Sequence, residues 1–425
     1  MVLNYIWISF FILAFIIAIV RTLLYYFRDS LGLEAYLSEA DKYVFQDIVQ
    51  STFDMSEASV TIAIFLVGTM TLWLGIMKIG EKGGAIDILS KFFRPLFSRI
   101  FPEVPRDHPA HGSIVMNFTA NMLGLDNAAT PAGLKAMEQL QEVNPDKTTA
   151  SNSQIMFLVL NTSGLTLIPI SVLALRASEN SVNPAEVFIP ILLATYFSTM
   201  IGLITVSIWQ KINLFNKVIL AYLGGVGALV AGIIYGMSQL NSGQISSYST
   251  VIGNGTLFFI IAVFIWLGVR KKQNIYENFI EGAVDGFSTS IKIIPYLLAM
   301  LVGIGVFRAS GGLDYIVAGL SWFFSLFFYS LEFVDSLTVA FMKPLSGSGA
   351  RGAFMDVVKE FGVDSFRAKI AATLQGSTET TFYVLAVYFG SVGIRNSRYA
   401  VTAGLLADLG GIIAAIIISY MMYPH

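Results

Sequence analysis

The sequence predicts an all-α polytopic membrane protein whose two halves are inverted repeats with re-entrant hairpins and broken transmembrane helices. Three observations predict it. The composition is too apolar for a water-soluble surface, several apolar stretches are long enough to cross a bilayer, and polar, Gly- or Pro-rich interruptions recur in the same order in each half. Of 425 residues, 55% are hydrophobic and 13% charged, with a mean hydropathy of +0.70. A soluble domain carries about 25% charged residues, so lipid must be the solvent for much of this chain. The net charge of -2 offers no basic field for phosphates, which excludes nucleic acid as a partner.

A spanning helix needs about 20 mostly apolar residues. Stretches 3–27, 57–79, 186–210, 217–238, 249–269, 286–307 and 398–421 meet that requirement. The first is too long for a signal h-region and lacks a basic n-region and a small-residue cleavage site, so it reads as a retained span. Stretches 152–176 and 366–391 are apolar at their ends and polar near the middle, as broken spans are. Stretches 109–140 and 331–361 run apolar, then Gly- and Ser-rich, then amphipathic, and read as re-entrant hairpins. Segment 84–101 alternates apolar and basic residues at helical spacing, the pattern of an interfacial helix. The longest polar loop is expected at about 28–56, with no core pattern of its own.

Three blocks of the first half reappear in the second. WLGIMKIGEKGGAIDIL (73–89) matches LVGIGVFRASGGLDYIV (301–317) in a register that sets Gly84 on Gly311 and Asp87 on Asp314. LDNAATPAGLKAM (125–137) matches LSGSGARGAFMDV (345–357) through Gly133 and Gly352, and FLVLNTSGLTLIPISVLAL (157–175) matches AATLQGSTETTFYVLAVYF (371–389) through Thr166 and Thr380. The expected organisation is therefore 1–212 and 246–425 as the repeats, with 213–245 as a connecting span. Lys78, Lys82, Lys91, Arg94, Arg99 and Arg106 follow the second span, whereas the equivalent stretch of the second half carries only Arg308. Short basic loops stay cytoplasmic, so equivalent loops are expected on opposite sides. In a nine-crossing arrangement Lys359, Arg367 and Lys369 run against that rule.

Unpaired backbone groups are tolerated at membrane depth only inside protein or beside a wet cavity. Asp126, Asn127 and Thr130, beside Pro131 and Gly133, lie where the first hairpin should turn, and Ser346, Gly347, Ser348, Gly349 and Arg351 are their counterparts. These runs read either as functional breaks or as ordinary surface turns. Asn161, Thr162, Ser163 and Gly164 interrupt one span, and Gln375, Gly376, Ser377, Thr378, Glu379, Thr380 and Thr381 interrupt the other. Ser and Thr satisfy themselves easily on their own helix. Glu379 does not, since a carboxyl near membrane depth marks a substrate, ion or proton path unless it is locked by Arg351 or Lys343. Asp408, within the last span, needs a partner or a wet face, and Asn117 and Asn121 share a face that lines a cavity or bonds a neighbouring helix. Zero cysteines and only three histidines (His108, His111, His425) leave no supported metal site, and no Walker motif, nucleophile elbow or HExxH points to an enzyme.

At these residues the sequence resembles known families. DNAATPAGLKAMEQL (126–140) and FLVLNTSGLTLIP (157–169) are similar to bacterial spore maturation protein A. FIEGAVDGFSTSIKIIPYL (279–297), KPLSGSGARGAF (343–354), LQGSTETTFYVLAVYFGSVGI (374–394) and GLLADLGG (404–411) are similar to spore maturation protein B. The resemblance implies a fusion of the two, carrying the nucleoside-recognition or gate domain shared with concentrative nucleoside transporters and the membrane part of ferrous iron transporters. It implies a multi-pass protein of the bacterial inner membrane, with Gln375, Thr378 and Glu379 as ligand contacts and Asn161 to Ser163 as their counterparts.

The reading is a secondary transporter of a small polar solute, working by alternating access and coupled to Na⁺ or H⁺. Asn161, Thr162, Ser163, Gln375, Ser377, Thr378, Glu379, Ser346 and Ser348 are its expected solute contacts, and Asp126, Asn127, Glu379 and Asp408 its expected ion or proton handlers. No cofactor beyond the coupling ion is expected. The expected partners are the solute, the bilayer and a second copy of the chain. A channel or passive pore, and a ligand-binding scaffold or sensor acting with a partner, are the alternatives.

Overall fold

A computed structural model describes residues 2–33, 37–124, 126–239, 242–327 and 330–423, with the side chains of some helical residues, Asp126 and Asn127 among them, outside what is described. The described residues are mostly helical. α1 (Val2–Tyr26), the short α2 (Arg28–Leu31) and the long α3 (Glu39–Gly83) lead into α4 (Ala85–Ile100), α5 (Ala110–Met122), α6 (Asp126–Glu142), α7 (Asn152–Ser163), α8 (Ile170–Ser178) and α9 (Phe188–Gln210). Then come α10 (Lys217–Ser238), α11 (Ser242–Arg270), α12 (Ile275–Ala309), α13 (Gly312–Ser325), α14 (Leu337–Met342), α15 (Gly347–Phe361), α16 (Phe366–Gly376), α17 (Thr381–Ser391) and α18 (Ala400–Met422). Among the described residues the one β feature is an isolated bridge between Thr149 and Asn396.

Among the described residues, six helices are long and apolar enough to cross a membrane, and a bent pair, Leu297–Ala309 with Gly312–Ser325 at 75°, makes up to seven. The expected polar loop at 28–56 is largely helix instead. Ser38 and Asp41 form a reciprocal capping box, and α3 then runs unbroken for 45 residues, about 67 Å at about 1.5 Å per residue. A bilayer core is about 30 Å thick, so the polar start of α3 reflects a helix longer than the hydrocarbon rather than a loop. Arg21 fastens this extension, with Nε 2.7 Å from Asp41 Oδ1 and Nη1 donating to Ser310 O at 2.9 Å.

α3 and α12 pack antiparallel along much of their length, because residues rising along α3 meet residues falling along α12. Gly305 lies against Ser51 and Met55, Gly286 against Met70, Gly282 against Leu74 and Lys78, and Gly75 against Phe279. A Cβ at Gly282 would stand 2.3 Å from Leu74 O, so glycine is required for this approach. After each long helix six α-helices follow, α4 to α9 in one half and α13 to α18 in the other, with a 3-10 turn at Pro184–Val187 added in the first. The turn that starts each series is a left-handed glycine, Gly84 (φ 89°) and Gly311 (φ 83°), the pair matched in the sequence. α4 buries Phe93, Leu96, Phe97 and Ile100 and leaves Ile88 and Phe92 exposed, as an interfacial helix should.

The halves interlock. Phe118 and Phe157 of the first half share a core with Tyr388, Phe389 and Ala403 of the second. Two clasps tie the loops together. In one, Arg176, fully buried at the end of α8, donates to Asp364 Oδ1 at 2.9 Å and to Val363 O at 2.9 Å. In the other, Arg395 N and Asn396 N both donate to Thr148 O, at 2.8 and 3.0 Å, and Ala150 N donates to Asn396 O at 2.9 Å. The first clasp is ionic; the second is made of backbone.

Candidate functional site

Two helical stretches are broken where the sequence places the polar interruptions. α7 starts on a capping box in which Ser151 Oγ accepts from Gln154 N, and it stops at Gly164, whose φ of 54° turns the chain out of the helix. Pro169 then opens α8. α16 starts on Ser365, whose Oγ accepts from Ala368 N at 3.1 Å, and ends before Ser377, after which α17 begins at Thr381. None of the four pieces exceeds 12 residues, about 18 Å, so none crosses a bilayer core alone.

The two breaks meet. Glu379 N–H donates to Thr162 O at 2.8 Å, so the second half satisfies a carbonyl that the last turn of α7 leaves without a helical partner. Thr162 Oγ1 donates to Thr381 Oγ1 at 2.7 Å, and Thr381 Oγ1 donates to Asp408 Oδ2 at 2.5 Å. All three side chains are buried, Asp408 at 1% exposure. α18 reaches this depth through small residues. A Cβ at Gly404 would lie 2.8 Å from Thr381 Cγ2, and one at Gly411 would lie 2.6 Å from Thr378 Cγ2.

Beside this junction is a cleft of about 110 Å³, room for several waters. Asn121, Thr166 and Ser171 line it from the first half, and Lys343, Gln375, Thr378 and Glu379 from the second, over an apolar floor of Met70, Leu74 and Ile168. Gln375 and Thr378 are each 3% exposed, yet Gln375 Oε1 and Thr378 Oγ1 have no hydrogen-bond partner among the described residues. A buried polar atom left unmatched costs about 1–3 kcal/mol, and here two such atoms line one cavity. Glu379 is exposed in the cleft rather than sunk in the protein, while Lys343 is buried on the same lining.

The structure thus brings Thr162, Gln375, Thr378, Glu379 and Asp408 together, and Asn161 joins them through Asn121 Nδ2, which donates to Asn161 Oδ1 at 2.8 Å. Ser163 and Ser377 are buried beside the breaks, but their hydroxyls donate to Leu160 O and Leu374 O of their own helices. Ser346 accepts from Gly349 N at 3.0 Å as the cap of α15, and its hydroxyl lies 3.1 Å from that of Ser348. The side chains of Asp126 and Asn127, and His425, lie outside the described residues. Asn117 is a helix–helix bond rather than a cleft residue, donating to Ala129 O at 2.8 Å. Sequence reasoning missed Ser171 and Thr195, whose Oγ1 accepts from Thr166 N at 3.4 Å, since single hydroxyls in apolar runs carry no signal of their own.

A family model described as Gate, nucleoside recognition, matches residues 63–178 and 290–395, together just over half of the chain and containing both breaks. Spore maturation protein A of Bacillus subtilis (strain 168) is 45% identical over 153 residues, covering 36% of this chain and 78% of that protein. Spore maturation protein B of the same organism is 45% identical over 164 residues, covering 39% of this chain and 90% of that protein. No solved structure matches the chain. With the Gate match falling once in each half and both breaks inside it, the chain belongs to the Gate nucleoside-recognition family of multi-pass membrane proteins.

Proposed function

We propose that the protein is a secondary transporter of a small polar solute in the bacterial cytoplasmic membrane, working by alternating access and coupled to Na⁺ or H⁺. The observation that carries this reading is the pair of unmatched buried acceptors, Gln375 Oε1 and Thr378 Oγ1, on a cleft bounded by both helix breaks. A solute donating to them removes the cost of leaving them unpaired, which binds it without any charge in the hydrocarbon. Glu379 and Lys343 on the same lining suit a solute with separated polar groups. The family description and the polar lining make a nucleoside the first solute to test.

The same geometry supports a carrier over an open pore, because the breaks touch through Glu379 N–H and Thr162 O. Inverted repeats meeting at such breaks give one site that either side can open. Reconstituted protein should take up the solute with saturation, with counterflow exchange, and in proportion to an ion gradient. Glu379→Gln should abolish gradient-driven uptake while the protein still elutes as a folded species. Equal uptake by that variant ends the role given to Glu379, and linear, unsaturable flux ends the carrier reading.

A further inference from the structure

Asp408 accepts a hydrogen bond from Thr381 at the start of α17 and is joined through it to Thr162 at the end of α7, and its position separates it from the cleft lining. Thr162, from the end of α7, and Thr381, from the start of α17, stand in series in front of it, each hydroxyl proton already directed toward its carboxylate. Its second oxygen, Oδ1, is buried and has no partner among the described residues. The charged groups that act on it among those residues are Lys343 and Glu379, and both line the cleft. The helices packed at its level, α7, α9 and α17, present hydroxyls there: Thr162, Ser198 and Thr381.

We propose that Asp408 is the proton-accepting group of the carrier and that the Thr162–Thr381–Asp408 chain passes its protonation state to both breaks. The inference rests on the transport reading above and narrows its coupling ion to H⁺. When Asp408 is ionised, Oδ2 accepts a charge-assisted bond from Thr381, and Thr381 in turn holds Thr162, so the break of α7 stays fastened to the start of α17. A proton arriving on Oδ1 leaves Oδ2 a neutral acceptor. Charge-assisted bonds are about twice as strong as neutral ones, so the pull on Thr381, and through it on Thr162, falls and the junction is free to part. A solute in the cleft changes the field that Lys343 and Glu379 impose on Asp408, which links solute binding to proton binding in both directions.

The test uses the full chain in lipid nanodiscs and follows, by infrared difference spectroscopy, the carbonyl stretch of a protonated carboxylic acid through a pH titration with and without sodium. The wild type should show a band that titrates independently of sodium. Asp408→Asn should lack it, and Thr381→Val, which removes the donor, should move its midpoint. In proteoliposomes Asp408→Asn should lose pH-gradient-driven uptake. A band that persists in Asp408→Asn, a titration displaced by sodium, or unchanged pH-driven uptake by that variant would overturn the proposal. A band lost in Asp408→Asn from a wild type that moves none of the solutes tested would instead overturn the transport reading while leaving the proton site standing. Should Asp408→Asn not fold, the midpoint in Thr381→Val decides: a shift supports Asp408 as the titrating group, and no shift counts against it.

Discussion

The two breaks occupy equivalent places in the helix order but are built from different materials. The break after α7 is a matter of shape. Gly164 sits in the left-handed region, Pro169 restarts the helix, and a Cβ at Gly164 would stand 3.0 Å from Glu379 Cγ. The break after α16 is a matter of chemistry, with Gln375, Thr378 and Glu379 all on the cleft and no left-handed residue among 377–380. The clasps behind them differ in the same spirit, Arg176 with Asp364 on one side and backbone bonds between 148–150 and 395–396 on the other. A repeated frame therefore carries an unrepeated site. The first half supplies a fitted wall and the second most of the polar groups that line the cleft.

The comparison breaks most visibly at the ionic clasp. Arg176→Met leaves Asp364 without its ion-pair partner. Removing one member of a buried pair costs about 3–5 kcal/mol, and because Asp364 is 34% exposed on its side chain the expected loss is at the lower end, about 3 kcal/mol. Thermal unfolding in detergent should show it, whereas Asn396→Ala in the backbone clasp should shift the midpoint far less, since its bonds across the clasp are made by main-chain atoms and its side chain accepts only an exposed bond from Arg398 N. Equal losses would erase the contrast between the clasps.

Gly164→Val comes next. A β-branched residue at φ 54° carries about 1–3 kcal/mol of strain, and the added methyls press on Glu379, so both stability and uptake should fall. Thr380→Ala in the other break should leave stability nearly unchanged, with the difference read from unfolding midpoints and initial uptake rates. A smaller effect joins the breaks. Thr162→Val removes one bond worth about 1 kcal/mol and Thr381→Val removes two, and because they share one hydrogen-bond chain the double variant should lose less than the sum of the singles. Additivity in that cycle means the chain is not cooperative.

The smallest effect is a pH dependence. Burial pushes the Asp364 carboxyl up, but bonds from Ser181 and Val182 and the charge of Arg176 outweigh it and hold it below the ordinary carboxylate range. A group with a depressed folded pKa contributes stability that is present above its unfolded pKa of about 3.9. That contribution should fade only as pH falls below about 4, and its loss should be missing in Asp364→Asn. An identical acid profile in that variant would assign the effect elsewhere.

Much of this frame was legible in the sequence because hydropathy and breakers act locally. The Gly84–Gly311 match, the interfacial helix α4 and the interruptions at 161–164 and 375–381 all follow from residue type and spacing. The polar start of α3 was not legible, since a helix that leaves the bilayer looks like a loop when scored for greasiness. Ser163 and Ser377 show a second limit. Their composition is that of a site, yet in the fold each bonds its own helix. The chain from Thr162 to Asp408 shows a third, because 219 residues separate Thr162 from Thr381 and no periodicity connects them.

The central claim is that the cleft between the breaks is where a solute binds. Counterflow exchange in proteoliposomes, with labelled nucleosides first and other small polar solutes after, tests it most directly on the wild type, Gln375→Leu and Thr378→Val. Both substitutions remove an unmatched buried acceptor without disturbing a hydrogen bond among the described residues, so folding should survive. The account predicts saturable exchange in the wild type and its loss, or a much raised half-saturation concentration, in both variants. Exchange with unchanged half-saturation in both would contradict it.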